Sequence, residues 1–340
     1  MPKRVDLTGP HLRCWERATL TFRTCSRFKR SERGLQLSFK TFTRQFSRIW
    51  RNRRHSGSGT NLKATGSHSP IDAVGVEIVG GLGNQLFGLA AGLEQARRLN
   101  CPLILNLDYY SHHPKRIFEL HPLMEHLPLL EVGTKEFRYV FVEGAFEWDS
   151  QLASIPVSTS LQGYFQSWRY FEEVKGEILF AIEQSWAVPD ESRDPHISVQ
   201  VRRGDYLEPH VRAVHGICDF SYYQEGVRTL RARLGNLPCL VHSDDGDAAR
   251  QVAALIPHSE VSSSGLTAGS ALRSVSAGRG LVISNSSFGW WAALAARHSN
   301  VVAPLPWFAS RKFDTRDLLP ADWITQPRSY QQQGHRRGDA

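Results

Sequence analysis

Arg202 and Arg203 follow directly on the apolar run Ile197-Ser198-Val199-Gln200-Val201. Adjacent guanidinium groups supply permanent charge and fork-shaped donors, the chemistry that holds a phosphate. Three more polar clusters close apolar runs in the same way. Ser243-Asp244-Asp245 follows Cys239-Leu240-Val241-His242, and Asn285-Ser286-Ser287-Phe288 follows Leu281-Val282-Ile283-Ser284. Gly80-Gly81-Leu82-Gly83-Asn84-Gln85-Leu86-Phe87 follows the alternation Val74, Val76, Ile78. Serines and backbone amides at a helix start are neutral donors for phosphate oxygens, while an Asp pair accepts from ribose hydroxyls or a base edge. A glycine turn brings bare backbone amides and a positive helix end to one point, with Asn84 placed as the helix cap. Together the four clusters describe a pocket for a sugar nucleotide.

Each cluster has a competing reading. The glycine run lacks the third glycine of a dinucleotide fingerprint, because Leu86 stands there, and the Lys and Ser/Thr of a P-loop, because Leu89 and Ala90 do. Arg203 and Asp205 could form an internal salt bridge, and strand alternation sets Arg202 with Gln200 on the face opposite Arg203. Asp245-Gly246-Asp247 could be an Asp-x-Asp metal site, although two arginines already offer the charge a metal would. Trp290 and Trp291 read as core rather than a stacking platform, and Tyr206, Tyr222 and Tyr223 as core or as a surface for a sugar face. His112-His113 is the one adjacent histidine pair, with no His-Glu-x-x-His spacing. Five scattered cysteines form no Cys-x-x-Cys pair. A metal site is therefore not expected, nor a cofactor, and the cysteines suit a reducing compartment.

The elements that must position these clusters alternate between strand and helix. After the glycine turn a helix carries Leu86, Ala90, Leu93 and Ala96, and Cys101–Asp108 is the next strand, with Asp108 at its end. The proline-interrupted stretch 109–157 yields no clear order. Phe171, Val174, Ile178 and Ile182 mark a helix, and a polar break from Pro189 to Pro195 separates the halves. The second half repeats the alternation: strands at 197–201, 239–242 and 281–284, a helix through Tyr223, Val227, Leu230 and Leu234 ending at Gly235, a helix from about Ala248, and Val301–Ala303 as the last strand. The expected fold is α/β, with two Rossmann-type parallel-sheet domains facing a cleft and ligands at the carboxyl ends of strands. The domains are expected at 71–190 and 191–330, with an arm over 1–70 and a polar tail over 331–340.

The arm is compositionally distinct. Sixteen of the 41 Lys and Arg but only three of the 33 acids lie in residues 1–70, which leaves 25 basic and 30 acidic groups in the remainder. The formal charge of +8 thus belongs to the arm and says nothing about the pocket. No apolar stretch approaches the roughly 20 residues of a membrane span, and no signal-peptide pattern is present. The expected location is cytoplasmic or peripheral at the cytoplasmic membrane face, with the arm touching anionic lipid. Nucleic-acid binding through the arm and an organellar transit peptide are alternatives, and a non-functional extension or a wrongly chosen start codon is preferred to contact with lipid or nucleic acid.

The motifs, in order, resemble the α-1,2-fucosyltransferases of glycosyltransferase family 11. They are Gly80–Phe87, Gly163-Tyr164-Phe165-Gln166-Ser167, Val201-Arg202-Arg203-Gly204-Asp205-Tyr206, Ser243-Asp244-Asp245, Ser284-Asn285-Ser286-Ser287-Phe288-Gly289-Trp290-Trp291 and Trp307-Phe308. The resemblance covers about residues 74 to 325 and does not reach the arm. It implies a GT-B-like fold, GDP-fucose as donor, a galactose-containing glycan acceptor in polysaccharide synthesis, inversion at the fucose anomeric carbon and no metal. It implies Arg202 as the main partner of the donor β-phosphate, Arg203 in support, and Ser286, Ser287 and Phe288 around the phosphates. Asp244 and Asp245 would line the nucleoside, and Gly83, Asn84 and Gln85 would approach the reacting centre from the other domain. The base that takes the acceptor proton is expected to be Asp205, with Glu208 and Asp108 as alternatives. Two positions depart from the family pattern: Gln200 stands where His is usual and Gly289 where Ser is common. Gln cannot carry a positive charge, so any imidazolium role is lost there. A different acceptor, linkage or GDP-sugar on the same fold is the nearest alternative.

Overall fold

The computed structural model describes residues 61–66, 69–192, 194–310 and 313–329. Six strands of the first half form one sheet: β1 (Leu62–Ala64), β2 (Val74–Glu77), β3 (Leu103–Asn106), β4 (Leu130–Val132), β5 (Tyr139–Val142) and β6 (Thr159–Gln162). Their spatial order is β1-β5-β6-β2-β3-β4. All neighbours are parallel except the β1/β5 pair at the edge. The second half forms another sheet from β7 (Ile197–Val201), β8 (Cys239–Ser243), β9 (Ser259–Val261), β10 (Gly280–Ile283), β11 (Val301–Leu305) and β12 (Ile324–Pro327). Its order is β12-β11-β10-β7-β8-β9, parallel throughout. Two parallel α/β sheets with crossover helices make this the expected GT-B-like architecture.

Several boundaries differ from the sequence reading. The first described strand, β1, lies inside the span assigned to the arm; residues 1–60 and 330–340 lie outside the described residues. Val301–Ala303 is not the last strand, because Ile324–Pro327 adds an edge strand beyond it. That segment alternates half-buried and exposed residues and ends in proline, so it carries no apolar run to betray it. β4, β5 and β9 were equally invisible, being three or four residues long.

Among the described residues, seven helices of at least seven residues accompany the sheets: α1 (Leu82–Leu99), α2 (Lys175–Ser185), α3 (Pro209–His215), α4 (Phe220–Leu234), α5 (Gly246–Leu255), α6 (Ala268–Ser276) and α7 (Ser287–Ala295). α4 stops at Gly235, whose φ of 85° suits glycine at a helix end. α1 begins at Leu82, not at a cap formed by Asn84. Gly80, at φ +75°, turns the chain sharply enough that Asn84 already lies inside the first helical turn.

One aromatic core joins the two halves. Phe87 of α1 lies 4.7 Å from Trp290 and 5.2 Å from Trp291 of α7, ring centre to ring centre. Phe171 stacks on Trp291 at 5.1 Å. All four rings are buried, each contributing roughly 2–3 kcal/mol through the apolar area it removes from water. Trp290 also donates its indole N–H to Leu318 O at 2.8 Å. Tyr222 and Tyr223 are fully buried too, so neither offers a sugar face. The helix after the glycine turn and the helix after the serine cluster therefore share one core, which fixes the two strand ends against each other.

Candidate active site

At the end of β7, a strand buried along its whole length, the chain leaves the sheet and the side chains turn to charge. The Arg202 guanidinium is held by two carboxylates. Nη1 pairs with Asp244 Oδ2 at 2.7 Å, and Nη2 donates to Asp205 Oδ1. Asp205 Oδ2 accepts from Arg116 Nη2 at 2.7 Å, and Arg116 comes from the first half. Asp244 Oδ1 in turn accepts from the Arg203 backbone N–H at 2.9 Å. Burial raises the Asp205 carboxyl, but the Arg202 and Arg116 guanidinium groups outweigh it and hold the carboxyl below the ordinary range. Tied into two ion pairs, Asp205 is a weak proton acceptor in this arrangement.

Arg203 points the other way. It is 5% exposed and donates to Arg202 O at 3.0 Å and Cys218 O at 2.9 Å, beside the Phe220 ring. Its expected place beside the phosphates is therefore corrected: the two residues leave the strand on opposite sides, and Arg203 braces the loop from within. The alternative of an Arg203–Asp205 bridge fails for the same reason, since Arg202 is the partner of Asp205.

The two departures from the family pattern meet. Gln200 Oε1 accepts from Ser284 Oγ at 2.7 Å, and a Cβ added at Gly289 would lie 2.6 Å from that same oxygen. The Gln200 amide occupies the space that a side chain at 289 would need.

From the first half, the glycine turn arrives at the start of α7. A Cβ at Gly83 would lie 2.4 Å from Phe288 N and 2.4 Å from Ser287 C, so only glycine lets α1 come this close. Asn84 Oδ1 accepts from Gln166 Nε2 at 2.9 Å. Gln85 does not face the cleft, contrary to expectation. It is completely buried, donates to Gly80 O and Ile117 O, and accepts from Glu119 N at 2.9 Å. An amide with donors and an acceptor is suited to tie the turn to the 117–119 loop, and that use leaves it none for a ligand. Ser287 and Phe288 are half-buried at the α7 start, and Ser286 is 5% exposed. Asp245 caps α5 by accepting from Ala248 N at 3.0 Å, whereas Asp247 is exposed and pairs with Arg250. Of the alternative bases, Asp108 accepts from Thr134 Oγ1 at 3.1 Å and Glu208 is exposed beside His210. Among the described residues no group of His, Cys, Asp and Glu is arranged to hold a metal ion.

Sequence reasoning assigned no individual role to three residues. Arg116 lies in the proline-interrupted stretch and has no strand before it to mark it. Asn285 had the signal of its motif; its amide bonds His215 O at 2.8 Å and Trp307 O at 3.0 Å, and its carbonyl accepts from Tyr206 Oη at 3.0 Å. The third is Glu143, buried just after β5, whose Oε2 accepts from Tyr164 N at 2.6 Å and Phe165 N at 3.0 Å. These bonds hold Phe165 at φ 51°, a left-handed conformation rare for an aromatic residue. Gly163 is required beneath, since a Cβ there would come 2.4 Å from Glu143 Cβ. The same turn carries Gln166 to Asn84.

Burial pushes the Glu143 carboxyl up to about 8, only partly offset by the two backbone donors. Below the ordinary carboxylate value both folded and unfolded chains hold the proton, and Glu143 costs no stability. Between that value and about 8 the folded chain keeps a proton that the unfolded chain has lost, so stability falls as pH rises. Melting temperature is expected to drop by roughly 5 °C or more across this window, and Glu143→Gln to flatten that slope. An unchanged slope in a folded Glu143→Gln variant would remove Glu143 from this role.

Compared with known proteins, the chain matches the family model described as Glycosyl transferase family 11 over residues 137–326. It is 27% identical over 298 residues to an alpha-1,2-colitosyltransferase of Escherichia coli, covering 75% of this chain and 99% of that one. It is 25% identical over 299 residues to the O-antigen biosynthesis glycosyltransferase WbnK of Escherichia coli, covering 72% and 97%. Among solved structures, the fucosyltransferase NodZ from Bradyrhizobium aligns at 14% identity with a TM-score of 0.42, covering 66% of this chain and 93% of that one.

Proposed function

Since the chain belongs to glycosyl transferase family 11, we propose that it transfers fucose from GDP-fucose to the 2-hydroxyl of a galactose in a glycan acceptor, with inversion and without a metal. The observation that carries this reading is the Arg202 guanidinium, one-quarter exposed at the end of the central strand β7 and facing Arg116 across Asp205. In the reaction the acceptor oxygen bonds the anomeric carbon while the bond to GDP breaks, its electron pair leaving with the phosphate. Negative charge grows on that phosphate, and a donor already in place stabilises it most at the transition state. Arg202 is that donor, with the Ser286, Ser287 and Phe288 segment beside the phosphates and Asp244 and Asp245 toward the nucleoside. Asp205 takes the acceptor proton. Gly83 and Asn84 face the reacting centre, so residues 71–190 hold the acceptor and 191–330 the GDP-sugar.

The colitosyltransferase relative supports a second reading, the same α-1,2 transfer with a colitosyl donor. A GDP-release assay over a panel of galactose-terminated acceptors, with each donor and with or without EDTA, tests both. Release with GDP-fucose that survives EDTA is expected. No transfer or hydrolysis with any acceptor would sink the fucosyl reading, and loss under EDTA would point to Asp245 and Asp247 as metal ligands.

A further inference from the structure

The four charged side chains Arg116, Asp205, Arg202 and Asp244 form one chain of ion pairs whose charges cancel. A nucleoside diphosphate entering here meets no surplus of positive charge. Nη2 of Arg202 donates to Asp205 Oδ1 and Nη1 is ion-paired with Asp244 Oδ2 at 2.7 Å, so the places these carboxylate oxygens hold are not open to a phosphate oxygen. For a phosphate oxygen to take either of these places on Arg202, the carboxylate that holds it must give way.

The surroundings decide which. Asp244 is anchored on its far side, where Oδ1 accepts from Arg203 N at 2.9 Å. Gly204 presses on it as well, since a Cβ there would lie 2.2 Å from Oδ2. Asp205 has no such anchor: its other side-chain ion pair runs to Arg116, whose side chain is 42% exposed and lies over the glycine turn, 3.6 Å from the place of a Gly81 Cβ. Arg116 thus offers Asp205 a second cation that does not belong to the phosphate pocket. We propose that Asp205 stands in the ligand-free protein where a donor phosphate oxygen binds Arg202, and that Arg116 keeps it paired when a nucleoside diphosphate displaces it. This rests on the donor assignment above and adds an order to it. Asp205 leaves Arg202 only when the leaving group has taken its place, so the carboxylate becomes a competent proton acceptor once the donor is bound.

Calorimetric titration with GDP tests the exchange without reference to turnover. Asp205→Asn, and independently Asp205→Ser, should bind GDP about tenfold more tightly than the unaltered chain, the scale of one charge-assisted hydrogen bond no longer competed for. Arg116→Ala should weaken GDP binding severalfold, because the displaced carboxylate then has no partner. The same substitution in the Asp205→Asn background should change nothing. Weaker or equal GDP affinity in both folded Asp205 variants would overturn the exchange. An Arg116→Ala loss that persists in the Asp205→Asn background would also overturn it, by making Arg116 a direct phosphate ligand. No GDP binding by the unaltered chain would instead remove the donor assignment, and this inference with it.

Discussion

Arg202→Ala is expected to lower kcat for glycosyl transfer by about a thousandfold, on the scale seen when a preorganised donor to a developing anion is deleted. The argument is differential. In the ground state the donor diphosphate is already charged and is bound by several groups, so the loss of one guanidinium weakens its binding only in part. At the transition state the breaking bond adds charge to the phosphate oxygen nearest Arg202, and the missing donor is felt most there. The effect should therefore fall mainly on kcat, with a smaller rise in KM. Arg202→Lys keeps the charge but cannot span two oxygens, and should recover only part of the rate. Because Ala at 202 leaves Asp205 and Asp244 without their shared cation, each variant needs a thermal melt beside its kinetics. A folded Arg202→Ala protein with ordinary kcat would refute the role.

What the sequence made legible follows from burial. β7, β8 and β10 are buried on both faces, so they read as apolar runs, and the polar residues that end them are where a parallel sheet presents ligands. That logic sets Arg202, Asp205, Asp244 and the 286–288 segment just past strand ends, where the structure has them. It fails wherever direction or a distant partner decides. Arg203 is adjacent to Arg202 and chemically identical, yet it turns inward to Cys218 O. Gln85 stands in the glycine turn among residues that face the other half, yet its amide is used by the 117–119 loop, thirty-odd residues away. Arg116 enters the site from irregular chain with no local pattern to announce it. Sequence spacing locates strand ends well because the period of a strand is local. It does not locate residues whose place is set by contacts distant along the chain.

Gly83→Ala provides the sharpest test of how the two halves are joined. Helix propensity alone gives the wrong sign, since alanine inside a helix is favoured over glycine by about 1 kcal/mol. Gly83 lies in the first turn of α1, so a propensity argument makes the variant more stable. The structure requires the opposite, because the new methyl would sit 2.4 Å from Phe288 N and from Ser287 C. Those atoms are backbone at the start of α7, not the end of a flexible side chain. α1 cannot slide away either, because Phe87, one turn on, is locked between Trp290 and Phe171. Overpacking of this kind is expected to cost about 3 kcal/mol, exceeding the propensity gain. Any separation of α1 from α7 that relieves the clash also moves the two faces of the cleft apart, and a displacement of about 1 Å can lower turnover by roughly a hundredfold. Gly88→Ala is the control: it lies on the same buried helix, but its methyl would meet Ile78 Cδ1 at an ordinary 3.4 Å. Thermal melts and kcat/KM for the pair should separate cleanly, with Gly88→Ala close to the unaltered chain and Gly83→Ala low in both. Equal melting temperatures and equal turnover in the two variants would show that the contact between the glycine turn and the 287–288 peptide does not hold the cleft.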